Sequence, residues 1–225
     1  MNTAADKPIS NTQRALLMMR DMIFSGDLAA GSDHLESELA ERLSMSRTPV
    51  REAALMLESQ GLLELRPRKG IRVLPISPED MEEIYDVLTE LECLAARKAS
   101  EKNYGHDDLK ILAQTIDAME EALTVDDRET WAKMDDQFHN ELVRLGGNSR
   151  AQTVFELMND QVRRARSVTL FMRPMPLKSN EDHRNLFEAI AEGNAQRADE
   201  IHRSHRQNAK LMMLELLHKF RLSSL

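Results

Sequence analysis

The stretch LESELAERLSMSRTPVREAALMLESQGLLELRPRKGIRV, residues 35–73, decides the fold of the first part of the chain. Residues 35–43 carry apolar side chains at helical spacing and predict a short helix. After the turn SMS a second helix is expected, with Ser46 as its N-cap, Pro49 in its first turn and Gly61 at its end. Two helices joined by so short a turn are typical of a helix-turn-helix.

The segments on either side extend this motif. Upstream, the apolar residues of 11–24 recur at helical spacing, and Gly26 ends the predicted helix. Downstream, the short apolar runs 62–65 and 71–74 flank the basic turn RPRKG and predict a hairpin. The order helix, helix, turn, helix, hairpin therefore predicts a winged helix-turn-helix DNA-binding domain over residues 10–75.

The remainder of the chain is predicted to be helical throughout. The two prolines in Pro75-Ile76-Ser77-Pro78 mark the domain boundary. Residues 76–225 are expected to form an all-α bundle of about six helices, and residues 1–9 a disordered tail. The helices are expected at 78–102, 105–123, 127–145, 149–171, 178–192 and 195–220.

The composition of the 225 residues favours a mainly α-helical protein. Only 8 Gly, 7 Pro and 4% aromatic residues are present, which is too few for the many turns of a sandwich or barrel. The single cysteine, Cys93, excludes an intramolecular disulfide framework and fits a reducing compartment. Because the sequence has no apolar run long enough to span a bilayer and no signal-peptide features, we expect a cytoplasmic protein without a membrane partner.

The net charge of −8 is distributed unevenly. Residues 1–75 are neutral in sum, so the acidic excess lies in 76–225. Within the first part, 47–72 holds six basic residues and three acidic ones. A local positive field steers association with a polyanion even when the net charge is negative. If charge is the only evidence, the basic segment could also be an ordinary charged surface that is exposed to solvent.

The run S-R-T-P-V-R-E-A-x-x-x-L-x-x-x-G-L, from Ser46 to Leu62, is specific. With it, residues 10–75 resemble the DNA-binding domain of GntR-family transcription regulators. Arg47 and Arg51 lie four residues apart, hence on one face at the start of the helix that would enter the major groove. Arginine can bond guanine with two hydrogen bonds there.

The other DNA contacts are assigned around these two arginines. The hydroxyl groups of Ser46 and Thr48 suit phosphate contacts. The wing tip, 66–70, can follow the backbone or enter a minor groove, with a glycine that allows close approach. Ser37 departs from the resemblance, because the family commonly has a basic residue there. The predicted DNA-binding residues are Ser46, Arg47, Thr48, Arg51, Arg66, Arg68, Lys69 and Gly70.

The second part turns histidines inward from three predicted helices. Asp135 and His139 lie four residues apart on one helix face, and His183 and His205 each fall in the apolar stripe of a separate helix. A buried Asp135 needs a compensating partner. A divalent cation bound by these four residues would supply it, and a hydrogen-bond network without metal is the alternative. His202 falls at the edge of its stripe and is expected to be exposed.

Residues 78–220 resemble the FadR-type C-terminal ligand-binding (FCD) domain of the same family. The matching motifs are D-x-x-F-H-x-x-L at 135–142, D-H-R-N-L-F-E-A-I at 182–190 and A-D-E-I-H-R-S-H at 198–205. The resemblance implies that the Asp and three His of these motifs bind a divalent metal, such as zinc, nickel or manganese, at the floor of a cavity. It also implies that a small organic acid binds beside the metal as the effector.

One position departs from this resemblance. Many members have an Arg three residues before the Leu-Glu pair of the first helix, where it holds the effector carboxylate, and this sequence has Leu88 there. Arg164, at helical spacing from other inward positions, is the candidate replacement. The alternative for Arg164 is a surface or dimer-interface charge.

The leading interpretation is a ligand-responsive transcription regulator, a homodimer that reads a pseudo-palindromic DNA operator and binds a small organic acid. Two alternatives remain. One is a constitutive DNA-binding protein with a purely structural metal site. The other is a metalloenzyme with an appended DNA-binding module, which is disfavoured because no HExxH or Ser/His/Asp signature is present and the motif aspartate would be used as a ligand. We therefore predict that the protein is not an enzyme.

Overall fold

The computed structural model of the protein describes residues 9–220, which form two compact units, one ending at Ile76 and the other beginning at Ser77. Apart from Ile9, the tail predicted over 1–9 lies outside the described residues. Within 9–220, no helix is both long enough and apolar enough to cross a membrane.

The first unit has the predicted winged helix-turn-helix architecture. Its elements are α1 (Asn11–Ser25), β1 (Asp33–His34), α2 (Glu36–Arg42), α3 (Arg47–Ser59), β2 (Leu63–Arg66) and β3 (Gly70–Val73). The sheet has one strand more than the predicted hairpin: its order is β1-β3-β2, with both pairs antiparallel, and Asp33 lies opposite Arg72. Strands are predicted from the alternation of apolar and polar residues, and two residues are too few to show it, so β1 could not be predicted.

Local signals explain where the helices of this unit begin and end. Ser10 accepts a hydrogen bond from the Gln13 amide, and the Gln13 side chain accepts one from the Ser10 amide, which starts α1 with a capping box. Gly26 ends α1 in the left-handed region, at φ 84°. Leu39 of α2 and Leu57 of α3 are fully buried in the core that holds the helices and the sheet together.

The second unit is the predicted all-α bundle. Its helices are α4 (Pro78–Glu101), α5 (Lys110–Thr124), α6 (Arg128–Gly146), α7 (Ser149–Thr169), α8 (Leu177–Ala191) and α9 (Ala195–Lys219). A short 3-10 turn, Leu170–Met172, follows α7. Helix α5 begins later than the predicted residue 105, because the Gly105 amide donates to Asp108 Oδ2 and a turn occupies this segment.

Helix α4 is central to the bundle, since it packs against α6, α7, α8 and α9. Helix α6 approaches α4 closely at Gly146, where an added Cβ atom would lie 2.6 Å from Ala95 Cα. The glycine is therefore required by the spacing of two helices rather than by its backbone angles. This packing places buried polar side chains of α4, α6, α8 and α9 in the interior of one unit.

Candidate DNA-binding face and candidate metal centre

The first turn of α3 presents the predicted base-reading residues to solvent. Ser46 occupies the N-cap position of α3, and its hydroxyl makes no capping hydrogen bond. Arg47, Thr48 and Arg51 are exposed, while Val50 on the opposite face is fully buried. The helix therefore anchors one face in the core and leaves the polar face free for a polyanion.

A groove of about 440 Å³ lies between this helix and the wing. Five of the eight predicted DNA-binding residues line it, namely Arg47, Arg51, Arg66, Arg68 and Gly70. Ser37, where a basic residue is common in the family, also lines it. Lys69 lies outside the groove and is exposed at the tip of the wing.

Two wing residues have roles within the protein that sequence reasoning did not provide. Arg66 Nη1 donates to Asp33 Oδ1 at 2.9 Å, and its Nε lies 3.7 Å from Glu64 Oε2. Part of the charge of Arg66 is therefore already neutralised. Gly70 has φ 89°, and a Cβ atom there would lie 2.3 Å from the carbonyl oxygen of His34. The close approach that requires this glycine is thus to strand β1 inside the protein.

The structure brings the four predicted metal ligands together. His139 on α6, His183 on α8 and His205 on α9 are buried, and one ring nitrogen of each lies within 4.8 Å of those of the other two. Asp135, one turn before His139, places Oδ1 3.5 Å from His183 Nε2 and 3.8 Å from His139 Nε2. Ligand atoms of a tetrahedral zinc site lie about 3.4 Å apart, so these separations suit such a site.

The second oxygen of Asp135 has a partner that the spacing of the sequence could not reveal. Asp135 Oδ2 accepts a hydrogen bond from Arg166 Nη2 on α7. Burial opposes ionisation of Asp135, but Arg166, followed by His139 and His183, holds its pKa below the usual value. The carboxylate is therefore ionised, with Oδ2 held by the guanidinium and Oδ1 directed to the histidines.

His183 provides the clearest sign that the cluster suits a cation. Among the described residues, neither of its ring nitrogens has a hydrogen-bond partner. Burial, followed by the neighbouring His205, lowers its pKa well below the usual value, so the ring is neutral and keeps a lone pair. A buried imidazole without hydrogen bonds is costly, and a divalent cation would take up that lone pair. The residues present therefore fit a metal.

A second buried cluster lies on the other side of His139. Glu92 on α4 has its Oε2 2.6 Å from His139 Nδ1 and 2.9 Å from His202 Nε2. Arg206 Nη2 lies 3.4 Å from Glu92 Oε1. Burial raises the pKa of Glu92, but Arg206 and His139 outweigh it and bring the pKa well below its usual value. An ionised carboxylate can only accept, so both histidines donate to it.

The prediction that His202 is exposed is wrong, because its exposed fraction is 0%. Helix α9 packs against α4 on one side and α8 on another, so its buried face is broader than a single stripe. His205 faces α8, with Nδ1 3.6 Å from Asp182 Oδ2, whereas His202 faces Glu92 of α4. Glu92 was not predicted to be a site residue. The only sequence feature that singles it out is its place in the Leu-Glu pair of the first bundle helix.

His139 links the two clusters through its two ring nitrogens. Nδ1 donates to Glu92, which leaves the lone pair on Nε2, the nitrogen that lies 3.8 Å from Asp135. A carboxylate that holds one ring nitrogen while the other ligates is the usual support of a metal-bound histidine. Glu92 can thus orient His139 without touching the metal.

A cavity of about 290 Å³ lies beside the histidines within the second unit. His205, Asp182 and Arg166 form part of its wall. Three further cations line it, and the remaining wall is mainly apolar. The three cations are Arg128, Arg173 and Lys178. The apolar part of the wall consists of Trp131, Ala132, Leu170, Pro174, Met175, Pro176, Ala209 and Met212, and the polar residues Ser179 and Asn208 complete it.

Arg164, the predicted effector-binding residue, does not line this cavity. It is buried, with an exposed fraction of 5%, and burial lowers its pKa to about 10. Two residues of an α-helix correspond to a rotation of about 200°, so Arg166 and not Arg164 faces the cavity from α7. Leu88 is fully buried and also lies outside the cavity wall.

Comparison with known families accounts for both units. The family model of bacterial regulatory proteins of the gntR family matches residues 11–73, and the FCD domain matches residues 83–208. The chain belongs to the GntR family. As a GntR regulator with an FCD domain, it is a DNA-binding transcriptional regulator and not an enzyme.

Several regulators resemble this GntR protein along most of their length. A probable D-xylose utilization operon transcriptional repressor of Paenarthrobacter nicotinovorans is 30% identical over 178 residues, which cover 79% of this chain and 77% of that protein. McbR/YncC of E. coli is 21% identical, with a TM-score of 0.77 over 92% of this chain and 99% of that chain. A putative GntR regulator from Rhodococcus sp. RHA1 has a TM-score of 0.74 at 23% identity and covers 91% of this chain and 97% of that chain.

Proposed function

We propose that this GntR regulator responds to a small organic acid that binds beside a divalent metal in the FCD domain. The observation that carries the proposal is the cluster of three buried histidines and one ionised aspartate, which reaches through His205 the wall of a cavity with four cationic side chains. A site of this kind binds anions. Since the same chain carries a DNA-binding domain, a bound anion can change the affinity for DNA.

In the DNA-binding unit, Arg47 and Arg51 read base edges from the first turn of α3. Ser46 and Thr48 contact phosphates beside them, and Arg68 and Lys69 follow the DNA backbone from the wing. Arg66 attracts the DNA phosphates less strongly than an unpaired arginine would, because Asp33 and Glu64 already neutralise part of its charge. In a homodimer two such units read the halves of a pseudo-palindromic operator.

In the FCD unit, Asp135, His139, His183 and His205 hold a divalent ion such as zinc, nickel or manganese. When bound, the ion supplies a positive charge that attracts the effector anion, since three neutral imidazoles and one carboxylate leave a net charge of +1. Arg166 fixes the orientation of Asp135, and it also lines the cavity.

The test is a DNA-binding titration with the full-length protein. Operators are first selected from a random DNA pool, and the affinity of the zinc-loaded protein for them is then measured with a panel of carboxylates. We expect at least one carboxylate to change the DNA affinity by about 5- to 150-fold, the usual range of such coupling. If no carboxylate changes it although the protein contains its metal, the protein is a constitutive DNA-binding regulator with a structural metal site.

A further inference from the structure

Four cationic side chains line the cavity of the FCD unit, and three of them have acidic partners within the protein. Arg128 Nε donates to Asp126 Oδ1 at 3.0 Å, and Arg166 is held by Asp135. Lys178 Nζ lies 3.0 Å from Asp182 and 3.1 Å from Glu181. The charges of these three cations are already compensated.

Arg173 is the exception. Its Nε and Nη2 donate to Thr169 Oγ1 at 3.0 and 2.9 Å, and Nη2 lies 3.5 Å from Met213 Sδ. Among residues 9–220, it forms no ion pair with a carboxylate. Burial lowers its pKa, so the protein holds the charge of this guanidinium at a cost. Asp135 offsets this cost only in part, and without a direct ion pair, so an anion that binds from outside would complete the compensation of an arginine that stays protonated.

The backbone of Arg173 is also held by a hydrogen bond. Its carbonyl oxygen accepts a hydrogen bond from Arg128 Nη1 at 2.6 Å. The neighbouring residues Leu170, Pro174 and Met175 line the same cavity. The guanidinium is thus held in place before any ligand binds, which reduces the entropy lost on binding.

The rest of the cavity limits what else the anion can carry. Trp131, Leu170 and Met212 are part of a wall that is mainly apolar. With one carboxylate shared between Arg173 and the metal of the proposed function, a second carboxylate would have to compete with Asp135, Asp126 or Asp182 for a cation that is already paired. The size of about 290 Å³ admits only a small molecule.

We propose that Arg173 holds the carboxylate of the effector and that this effector is a small monocarboxylate with an apolar body. The inference rests on the effector cavity of the proposed function and specifies its ligand class. It also explains how the protein functions with Leu88 in place of the family's arginine: the carboxylate is held from the segment after α7 instead of from α4.

The test uses Trp131, the only tryptophan of the chain, which lines the cavity and reports binding there by its fluorescence. Zinc-loaded full-length protein is titrated with hexanoate and cyclohexanecarboxylate. Succinate, citrate and the neutral cyclohexanecarboxamide serve as comparisons. We expect the two monocarboxylates to change the fluorescence saturably, the diacid and triacid to bind at least tenfold more weakly, and the amide not to bind.

Variants then test the role of Arg173. Arg173→Gln should weaken cyclohexanecarboxylate binding by at least tenfold, and Arg173→Lys should weaken it less, because a single charge replaces a two-pronged donor. Thr169→Val, which removes the oxygen that holds the guanidinium, should weaken it severalfold. The control Arg150→Gln, an exposed position of α7, should have no effect. Metal content and DNA affinity without ligand are measured for every variant, to show that it is folded.

Equal binding to wild type and to folded Arg173→Gln would overturn the assignment of Arg173. Tighter binding of succinate or citrate than of the monocarboxylates would overturn the ligand class. Failure of both monocarboxylates to bind would also overturn the inference. Should another carboxylate of the panel still change the DNA affinity, the proposed function would survive that result.

Discussion

Glu92 shows how one buried carboxylate can organise a site that it does not itself form. It accepts from His139 and His202 and is approached by Arg206, so it links α4, α6 and α9. Its charge is compensated by Arg206 on one side and by two hydrogen-bond donors on the other. Fixing the proton of His139 on Nδ1 leaves Nε2 for a metal.

Glu92→Gln should therefore weaken zinc binding by about 10- to 100-fold, the usual cost of losing a carboxylate that supports a ligand. The amide keeps the shape of the side chain but loses the charge and one acceptor. Affinity is measured by competition with a chromophoric chelator. Glu141→Gln is the matched control, since Glu141 is a buried carboxylate that pairs with Arg144 away from the histidines. Equal zinc affinities for Glu92→Gln and wild type would contradict this role.

Arg51 and Lys69 should contribute to DNA binding in different ways. Arg51→Ala should reduce the preference for the operator by about 1–3 kcal/mol, because it removes a contact to a base edge. Lys69→Ala, at the exposed tip of the wing, should weaken binding to all sequences and flatten its salt dependence. Competition assays with operator and random DNA at several salt concentrations measure both effects. Equal, sequence-independent losses would show that Arg51 does not read bases.

At the scale of elements, close contact between α4 and α6 holds the two clusters together. Gly146 lets α6 approach Ala95, and this contact brings His139 of α6 within reach of Glu92 of α4. A larger residue at 146 would separate the helices. The spacing of these two helices therefore matters for the site as well as for the core.

Gly146→Ala should destabilise the FCD unit by about 1–3 kcal/mol, although alanine is the better helix former, because the added methyl group meets backbone atoms of α4. The control is Gly105→Ala, where the new methyl group would be 3.7 Å from Asp108 Oδ2, an ordinary contact. Urea unfolding of the two variants measures the difference. A Gly146→Ala protein as stable as wild type would show that α4 can move away without cost.

The sequence predicted most elements because helical periodicity and caps are local signals. It missed β1, whose two residues have no pattern, and the late start of α5, which depends on a turn around Gly105. Within the site, helix phase identified Asp135 and the three histidines as inward residues. The partner of Asp135 and the burial of His202 depend on which helices pack together, and spacing along one helix does not contain that information.

At the scale of the whole molecule, we predict a homodimer whose contact lies mainly in the FCD unit. Helix α7 exposes apolar side chains at Val154, Leu157 and Val168, which follow helical spacing along one side. Clustered exposed apolar residues mark interaction surfaces. A DNA-binding unit as small as the first one offers less surface for such a contact.

Leu157→Glu should raise the dimer dissociation constant at least tenfold, because it places a charge in an apolar contact. Sedimentation of the full-length protein at micromolar concentration should show a dimer for wild type and a shift towards monomer for the variant. Val125→Glu, at an exposed apolar residue after α5, is the control. A monomeric wild type would contradict the predicted dimer, and a dimeric Leu157→Glu would exclude this side of α7.

The central claim is that Asp135, His139, His183 and His205 form a metal centre, and metal content tests it most directly. Wild type, His183→Ala and His202→Ala are purified without chelator or nickel resin and analysed by elemental analysis, before and after zinc titration. Both substituted histidines are buried, so the pair is matched for disturbance of the core. We predict one equivalent of metal in wild type, a loss in His183→Ala and retention in His202→Ala. A wild type that neither contains nor takes up stoichiometric metal would contradict the account, as would a His202→Ala protein that loses the metal while His183→Ala keeps it.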